Sequence, residues 1–487
     1  MHLAELLLGF ADVQAETDVE ITQISLDSRE IIQGGVFFAV AGAEQHGLCF
    51  AKQVQQQGAL AIVYDPAKQG EQLAQSITGI ALYAVEELAS KLAEIAAKFY
   101  AYSAIPLKLI GITGTNGKTS CSQFLAQALE HTALIGTLGW GCYASLHNTL
   151  NTTPDAFNLH KILAQFVQQG IENVAMEVSS HGLQQGRVNS LSFQGVVFNN
   201  LSRDHLDYHG NMEAYFQVKL RLMQWPALQF VVLNLDDDYA GRVLQAVAED
   251  VTVVTYSLQN KIDSRAESLN ASNVQYSMAG ICCDVSWQGE QVSLSLPLLG
   301  DFNLQNSLAV IAVMLLMGKS LTECCHAMNS IKAVIGRMEC FQGSVGKPLL
   351  VVDYAHTPDA LKQVLSTLRR HCENNLSVVF GCGGDRDKGK RQEMGRIAAE
   401  LADTVIVTDD NPRFEEPTDI IDDIIAGLMT DSLNVINDRK SAIEYAIKHA
   451  AEQDIVLIAG KGHEDYQDLK GVKQPFSDRE IVQELLV

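Results

Sequence analysis

A chain of 487 residues is too long for one ordinary domain, and 47% hydrophobic with 19% charged residues describes a soluble globular protein with a core in each of two to four domains. A formal charge of −23 argues against nucleic acid or an anionic membrane as a partner, so an anionic ligand must be held by local clusters of Lys, Arg and helix N-termini. Among the ten cysteines, the adjacent pairs Cys282-Cys283 and Cys324-Cys325 have no metal or redox spacing and are expected as small core residues in a reducing cytosol.

The segment Met1 to Phe10 is apolar but lacks a basic flank and is interrupted by Glu5, which predicts an amphipathic helix rather than a signal peptide. No apolar run reaches the roughly 18 residues of a membrane span, and a cytoplasmic location is expected. Up to about residue 100, short strands (Val36 to Val40, Ala59 to Tyr64) mix with helical stretches such as Val85 to Phe99. Ser103 and Pro106 then break the helical pattern, so Tyr100 to Pro106 reads as a linker.

A second block opens on the apolar run Leu107 to Thr113. Similar runs follow at Asn173 to Val178, Val196 to Asn199 and Phe230 to Asn234, with helical patterns between them. That alternation predicts a mostly parallel, helix-covered sheet, and the shorter alternation from Val274 to Leu298 predicts an antiparallel addition to it. From near Gly336 the βα rhythm resumes, with strands at Leu349 to Asp353, Ser377 to Gly381, Thr404 to Thr408 and Ile455 to Ala459 and helices such as Gln392 to Ala402. This pattern predicts a Rossmann-like, doubly wound domain, whose functional residues gather just after the strand C-termini. Polar clusters do follow those strands: Tyr354-Ala355-His356, Gly383 to Arg386, Asp409 to Arg413 and Gly460 to Glu464. The expected fold is therefore α/β in three domains, spanning 1–100, 101–336 and 337–487.

The strand ending at Thr113 runs into Gly114-Thr115-Asn116-Gly117-Lys118-Thr119-Ser120 and then a helical stretch from Ser122 to Glu130. Glycines let backbone N–H groups approach phosphate oxygens, and the helix N-terminus adds its positive end. Lys118 is placed to reach the β- and γ-phosphates of ATP, and Thr119 to offer its hydroxyl to Mg²⁺. Relative to the general phosphate-loop pattern, Ile112 stands where the first glycine belongs. The loop alone leaves hydrolase, kinase, ligase and nucleotide switch open.

Six further stretches follow in order: Glu177-Val178-Ser179-Ser180-His181-Gly182, Asn200 to Gly210, Gly336-Arg337-Met338-Glu339, Asp353 to Pro358, Gly383-Gly384-Asp385-Arg386 and Asp410-Asn411-Pro412-Arg413. Together with the loop, these resemble the Mur ligases, ATP-dependent amide-forming enzymes of peptidoglycan assembly. The likeness covers all three blocks, and within that family Gly-Thr-Asn-Gly-Lys-Thr is the complete form of the loop. It implies that residues 1–100 hold a UDP-sugar, 101–336 ATP, and 337–487 an amino acid. It also implies transfer of the γ-phosphoryl of ATP to a substrate carboxylate, then attack of an amine on the acyl phosphate. Metal and basic groups must stabilise the charge that develops.

By the same resemblance, Glu177 joins Thr119 at one Mg²⁺, and His205 ligates a second. Lys219, by itself an ordinary helix-surface lysine, aligns with the position the family carbamylates with CO₂ to give an anionic metal ligand. Asn303, Arg337 and Asp353 match positions around the nucleotide, although Asn303 alone reads as the N-cap of a helix over Leu304 to Met317. Leu26, Ser28, Ala43, Glu44 and Gln45 match contacts to the UDP end, in a stretch (Ala41 to Gly47) that departs from the family's usual pattern. Asn151, Thr152, Thr153, Ser179, Gln185 and Arg187 match contacts to the sugar and peptide of UDP-MurNAc-L-Ala-D-Glu.

Arg386, Asp410, Asn411, Pro412, Arg413, Gly460 and Glu464 match contacts to the incoming amino acid. Arg413 points to meso-diaminopimelate, because a guanidinium can grip its distal carboxylate and L-lysine would leave that guanidinium unpaired. The enzyme is expected to work as a monomer on small-molecule substrates. Alternative readings are a lysine-adding ligase of the same family, folylpolyglutamate synthase, and a non-catalytic ATP-binding partner in cell-wall assembly.

Overall fold

Strands buried on both faces need near-continuous apolar sequence, and the runs picked out above form such strands. The computed structural model describes residues 1–42, 45–101, 107–343, 346–426, 428 and 433–486. Ala43, Glu44 and residues 102–106 of the expected linker lie outside the described residues. The chain divides into two compact units, Met1–Thr255 with Ser264–Ala266, and Tyr256–Asp263 with Glu267–Val487.

In the first unit, β1 (Gln23–Ser25), β2 (Gly35–Ala39), β3 (Ala61–Tyr64) and β4 (Ala81–Ala84) form an all-parallel sheet in that order. The N-terminal helix is short, Leu3–Leu7, and buries Leu3, Leu6 and Leu7. The helix Leu88–Tyr100 starts later than the apolar pattern suggests because Glu87 takes a left-handed conformation, and it buries Leu88, Ala93, Ile95 and Ala96. Phe157 of the helix Ala156–Gln168 meets Phe38 of β2 edge to face, with ring centres 4.8 Å apart.

The second sheet centres on β5 (Lys108–Thr113), which lies between β9 (Asn173–Glu177) and β10 (Phe193–Phe198), both parallel to it. β6 (Thr132–Gly136) continues the sheet beyond β9, β11 (Phe230–Asn234) continues it beyond β10, and β12 (Thr252–Ser257) lies beside β11. An antiparallel hairpin extends β6 through β7 (Gly139–Cys142) and β8 (Ser145–His147), which the sequence pattern does not reveal. Its strands are too short and glycine-rich to show alternation. All the residues after Lys108 in β5 are buried, so the C-terminal end of that strand is a rigid base for the loop it feeds.

In the second unit, β13 (Glu267–Ser277), β14 (Gly280–Trp287) and β15 (Glu290–Leu296) make the expected antiparallel group, followed by helices Asp301–Leu316 and Leu321–Met328. A six-stranded sheet then runs in the order β16 (Glu339–Gln342), β17 (Leu349–Asp353), β21 (Ile455–Ala459), β18 (Leu376–Phe380), β19 (Thr404–Val407), β20 (Leu433–Val435). Five of its strands are parallel and β16 is an antiparallel edge. The hairpin β22 (Tyr466–Leu469) and β23 (Val472–Pro475) follows β21. His371 ties parts of this unit together: its Nδ1 is 2.7 Å from the Ser277 carbonyl, and the Gly300 amide donates to its Nε2 at 3.1 Å.

Beneath the C-terminal ends of the sheet, Arg439 and Asp478 form a fully buried bidentate pair, with both N···O distances 2.8 Å. Arg439 also donates to the Ala459 carbonyl at 2.9 Å, which anchors the end of β21. Arg439→Ala leaves Asp478 charged and unpaired, and is expected to destabilise this unit by about 3–5 kcal/mol. A lowered denaturant midpoint for the unit, followed by circular dichroism, checks this; an unchanged midpoint contradicts it.

Candidate active site

The loop after β5 turns through two left-handed glycines, Gly114 (φ 148°) and Gly117 (φ 83°), and the helix Lys118–Ala128 starts at once. The helix therefore begins four residues earlier than the apolar pattern implies, which brings its N-terminus onto the loop itself. The loop is braced from outside by the segment after β10. Thr115 N donates to the Asn200 carbonyl (2.9 Å), Asn116 N to Asn200 Oδ1 (2.8 Å), and Ser202 N to Thr115 Oγ1 (2.9 Å). Lys118 Nζ donates to the carbonyls of Gly114 and Thr115, both at 2.8 Å, which holds the ammonium against the loop. Burial lowers the Lys118 pKa, while Glu177 and Asp204 pull it upward.

At the end of β9, Glu177 is 1% exposed. Its carboxylate accepts hydrogen bonds of 3.0 Å from Thr119 Oγ1, Thr137 N and Thr137 Oγ1. It is thus a strand-end carboxylate facing the phosphate loop and not a helix cap. Burial raises its pKa, opposed by Lys118 and by these hydrogen bonds. Space for it exists because residue 136 is glycine: a Cβ there would stand 2.0 Å from Glu177 Oε1. Gly136→Ala must displace the carboxylate, and a shift of about 1 Å at such a site is expected to lower turnover by roughly 10²-fold. Steady-state ADP release measures this, and wild-type rates would contradict it.

Lys219, which taken alone reads as an ordinary helix-surface lysine, is buried. It is 1% exposed, on the helix Met212–Leu220, and points into the protein rather than to solvent. Its Nζ donates to the Gly114 carbonyl (2.9 Å) and Thr113 Oγ1 (3.4 Å), and lies 4.9 Å from the centre of the Tyr215 ring. Burial, helped by the charge of Lys118 and resisted by Asp204, holds its pKa well below the ordinary lysine value. His205 has a left-handed backbone (φ 51°) and a half-exposed side chain 3.4 Å from Asp204 Oδ2, with its ring edge-on to His181 at 4.9 Å.

A hydrogen-bonded chain leads away from Glu177. Thr137 Oγ1 is 3.1 Å from Thr152 Oγ1, Thr153 Oγ1 donates to the Glu177 carbonyl (2.9 Å) and to Ser179 Oγ (3.1 Å), and Arg187 donates to the Thr153 carbonyl (2.6 Å) and to Gln185 Oε1 (2.6 and 3.0 Å). Five of the six residues assigned to the sugar and peptide are therefore linked, and Asn151 is exposed beside them. Leu26, Ser28 and Gln45 line a separate open cleft of about 570 Å³ with Phe37, Phe50 and Asp155.

In the second unit, Asp353 is buried at the end of β17 and accepts from Met338 N (2.7 Å) and Ala355 N (2.8 Å). Burial raises its pKa against the pull of these donors and of Arg337. The Arg337 guanidinium lies over the Tyr354 ring at 4.5 Å. Asn303 is not an N-cap: the helix begins at Asp301 behind Gly300 (φ 90°), and Asn303 Nδ2 donates to the Leu299 carbonyl at 2.9 Å.

The turn after β19 joins the loop after β21. Asn411 Nδ2 donates to Glu464 Oε2 at 2.9 Å, and Asp410 lies against Gly460. Arg413 is left-handed (φ 52°), and its guanidinium donates to the Gly384 carbonyl at 2.6 Å. Its backbone is held by the hairpin, through Arg413 N to the Asp468 carbonyl (3.0 Å) and Lys470 N to the Arg413 carbonyl (2.8 Å). Arg386 is exposed and makes no hydrogen bond or ion pair with the described residues.

Three family models match in order: the Mur ligase family catalytic domain over 20–100, the Mur ligase middle domain over 112–314, and the Mur ligase glutamate ligase domain over 336–462. The chain belongs to the Mur ligase family. It is 47% identical to the UDP-N-acetylmuramoyl-L-alanyl-D-glutamate–2,6-diaminopimelate ligase of Pseudomonas aeruginosa, over 97% of this chain and 96% of that protein. It is 42% identical to the ligase of the same name from Vibrio vulnificus, over 100% and 98%. A solved structure with that name superposes with a TM-score of 0.76 at 36% identity, covering 100% of this chain and 98% of the other. The MurF ligase of Thermotoga maritima in complex with ADP shares the fold, with a TM-score of 0.64 at 18% identity over 97% and 98%. As a Mur ligase, this chain is an ATP-dependent, amide-forming enzyme of peptidoglycan-precursor synthesis.

Thr137, bonded to Glu177, and Lys461, bonded to Glu464, are not singled out by the sequence pattern. Thr137 follows an unremarkable strand, and nothing local shows that it bonds a carboxylate 40 positions away. Lys461 stands in the polar stretch Gly460 to Glu464, and the flanking glycine was the available signal.

Proposed function

We propose that this enzyme joins meso-diaminopimelate to the γ-carboxylate of the D-glutamyl residue of UDP-MurNAc-L-Ala-D-Glu. The observation that carries the choice of amine is the turn Asp410 to Arg413, where Arg413 is fixed by Gly384 and the hairpin and Asn411 is bonded to Glu464. In this reading residues 1–100 take the UDP end at the cleft lined by Leu26, Ser28 and Gln45, while Ala43 and Glu44, outside the described residues, match UDP-contact positions of the family. Asn151, Thr152, Thr153, Ser179, Gln185 and Arg187 orient the sugar and peptide. Residues 101–336 handle ATP, and 337–487 the amino acid.

The loop amides and Lys118 bind the phosphates, with Asn303, Arg337 and Asp353 serving the rest of the nucleotide. A carboxylate oxygen of the acceptor attacks the γ-phosphorus, the bond to the β–γ bridging oxygen breaks, and ADP leaves. The diaminopimelate nitrogen then attacks the acyl carbon, phosphate departs, and the nitrogen loses its proton. Oxygen donors such as Thr119 and Glu177 suit Mg²⁺, which in nucleotide sites keeps waters and phosphate oxygens and needs few protein ligands. When bound, Mg²⁺ neutralises charge on the transferring phosphoryl.

Lys219 fits carbamylation, since a buried lysine with a depressed pKa offers the neutral amine that CO₂ requires. Its nitrogen lone pair forms the N–C bond, a C=O electron pair moves to oxygen, and one N–H proton is released. The carbamate and His205 would then hold a second Mg²⁺. The enzyme works in the cytoplasm, as a monomer.

ADP release with the UDP-dipeptide and each amine in turn tests this reading. Diaminopimelate is expected to support turnover and L-lysine to support little. Equal rates with lysine, or none with either, would overturn it.

A further inference from the structure

Lys461 follows β21, and no part of its side chain is exposed. Its Nζ donates to Asn411 Oδ1 at 3.1 Å and to Glu464 Oε2 at 3.0 Å, and lies 5.6 Å from the centre of the Tyr466 ring. Asn411 Nδ2 donates to the same Glu464 oxygen, and Asp468 N to the same Asn411 oxygen. One ammonium therefore fixes both members of the Asn411–Glu464 pair and the start of the hairpin that holds Arg413. Glu464 Oε1 has no hydrogen-bond partner among the described residues and belongs to a side chain that is 19% exposed. The carboxylate is thus pinned by one oxygen and presented by the other.

Asp410 is within electrostatic reach of Lys461 and Glu464, Lys473 lies over the Tyr466 ring at 4.0 Å, and Arg439 is committed to Asp478. A buried lysine of this kind costs desolvation that an apolar residue would not, so its use lies in fixing geometry.

We propose that Lys461 is a positioning residue for the amino-acid substrate, holding Glu464 and Asn411 in the orientation that receives an ammonium group. This inference rests on the assignment of the 410–464 pocket to the amino acid. Lys461 touches no substrate. It acts through Glu464 and Asn411, so its removal should weaken capture of the amine and leave the ATP site alone.

The test uses the full-length enzyme and whichever amine the wild type consumes, so a mistaken choice of diaminopimelate is read separately on the wild type. Lys461→Met is expected to raise KM for the amine at least 10-fold, with kcat within about 3-fold and KM for ATP unchanged. Because Lys461 acts through Glu464, the added effect of Lys461→Met on a Glu464→Gln background should be much smaller than on the wild type. Lys461→Gln, which keeps a donor in the same space, is expected to fall between wild type and Met, and serves in place of Met if that variant does not fold. An unchanged amine KM, equal shifts in the KM values of amine and ATP, additive effects with Glu464→Gln, or failure of both variants to fold would overturn the proposal.

Discussion

Lys219→Met is expected to lower the rate of ADP release by roughly 10²- to 10³-fold while leaving the protein at least as stable as the wild type. The two effects have opposite signs for one reason. The side chain is buried against Gly114 and Thr113 of the phosphate loop, where a cation is poorly solvated and Lys118 repels it. A lysine whose folded-state pKa lies below its unfolded value destabilises the fold at every pH below the unfolded value, and the penalty grows as pH falls toward the folded value. Methionine removes that penalty. In CO₂-depleted buffer the melting temperature of Lys219→Met should therefore exceed that of the wild type, by a margin that widens from pH 9 to pH 6. A large loss of stability would mean that Lys219 is there to hold the loop, and unimpaired turnover would remove it from the chemistry.

The same residue shows where sequence reasoning stops. Strand runs such as Leu107 to Thr113 and Ile455 to Ala459 are legible because two-sided burial forces an apolar composition. The phosphate loop is legible because its glycines, lysine and threonine sit at contiguous positions. Lys219 lies 105 positions from the carbonyl it bonds, and its helix has no apolar stripe to show that this face turns inward. Asn303 misleads for a related reason: its residue type favours caps, yet Gly300 starts the helix and Asn303 spends its amide on the preceding turn. Thr137 and Lys461 gain their roles from partners 40 and 50 positions away, and pairwise contacts at that range leave no local signature.

Arg413→Ala is expected to reduce kcat/KM for diaminopimelate by roughly 10²- to 10³-fold, the loss that follows from leaving a carboxylate without its guanidinium partner. KM for ATP should stay near wild type, because the turn lies after β19 and the phosphate loop after β5. Arg413→Lys should recover little, since a single ammonium cannot reproduce a two-point grip. The backbone of the turn is held independently of the side chain, by the bonds of Arg413 N and its carbonyl to the hairpin and by Asp468 N on Asn411. The guanidinium's bond to Gly384 is lost in the variant, but Arg391 holds Glu415, and Glu415 accepts from Asp385 N. The loss should therefore be one of recognition. Comparing the two amines on one variant isolates it: Arg413→Ala should narrow the ratio of diaminopimelate to L-lysine use. A variant that loses both activities in equal proportion would show that Arg413 supports the pocket without choosing its ligand.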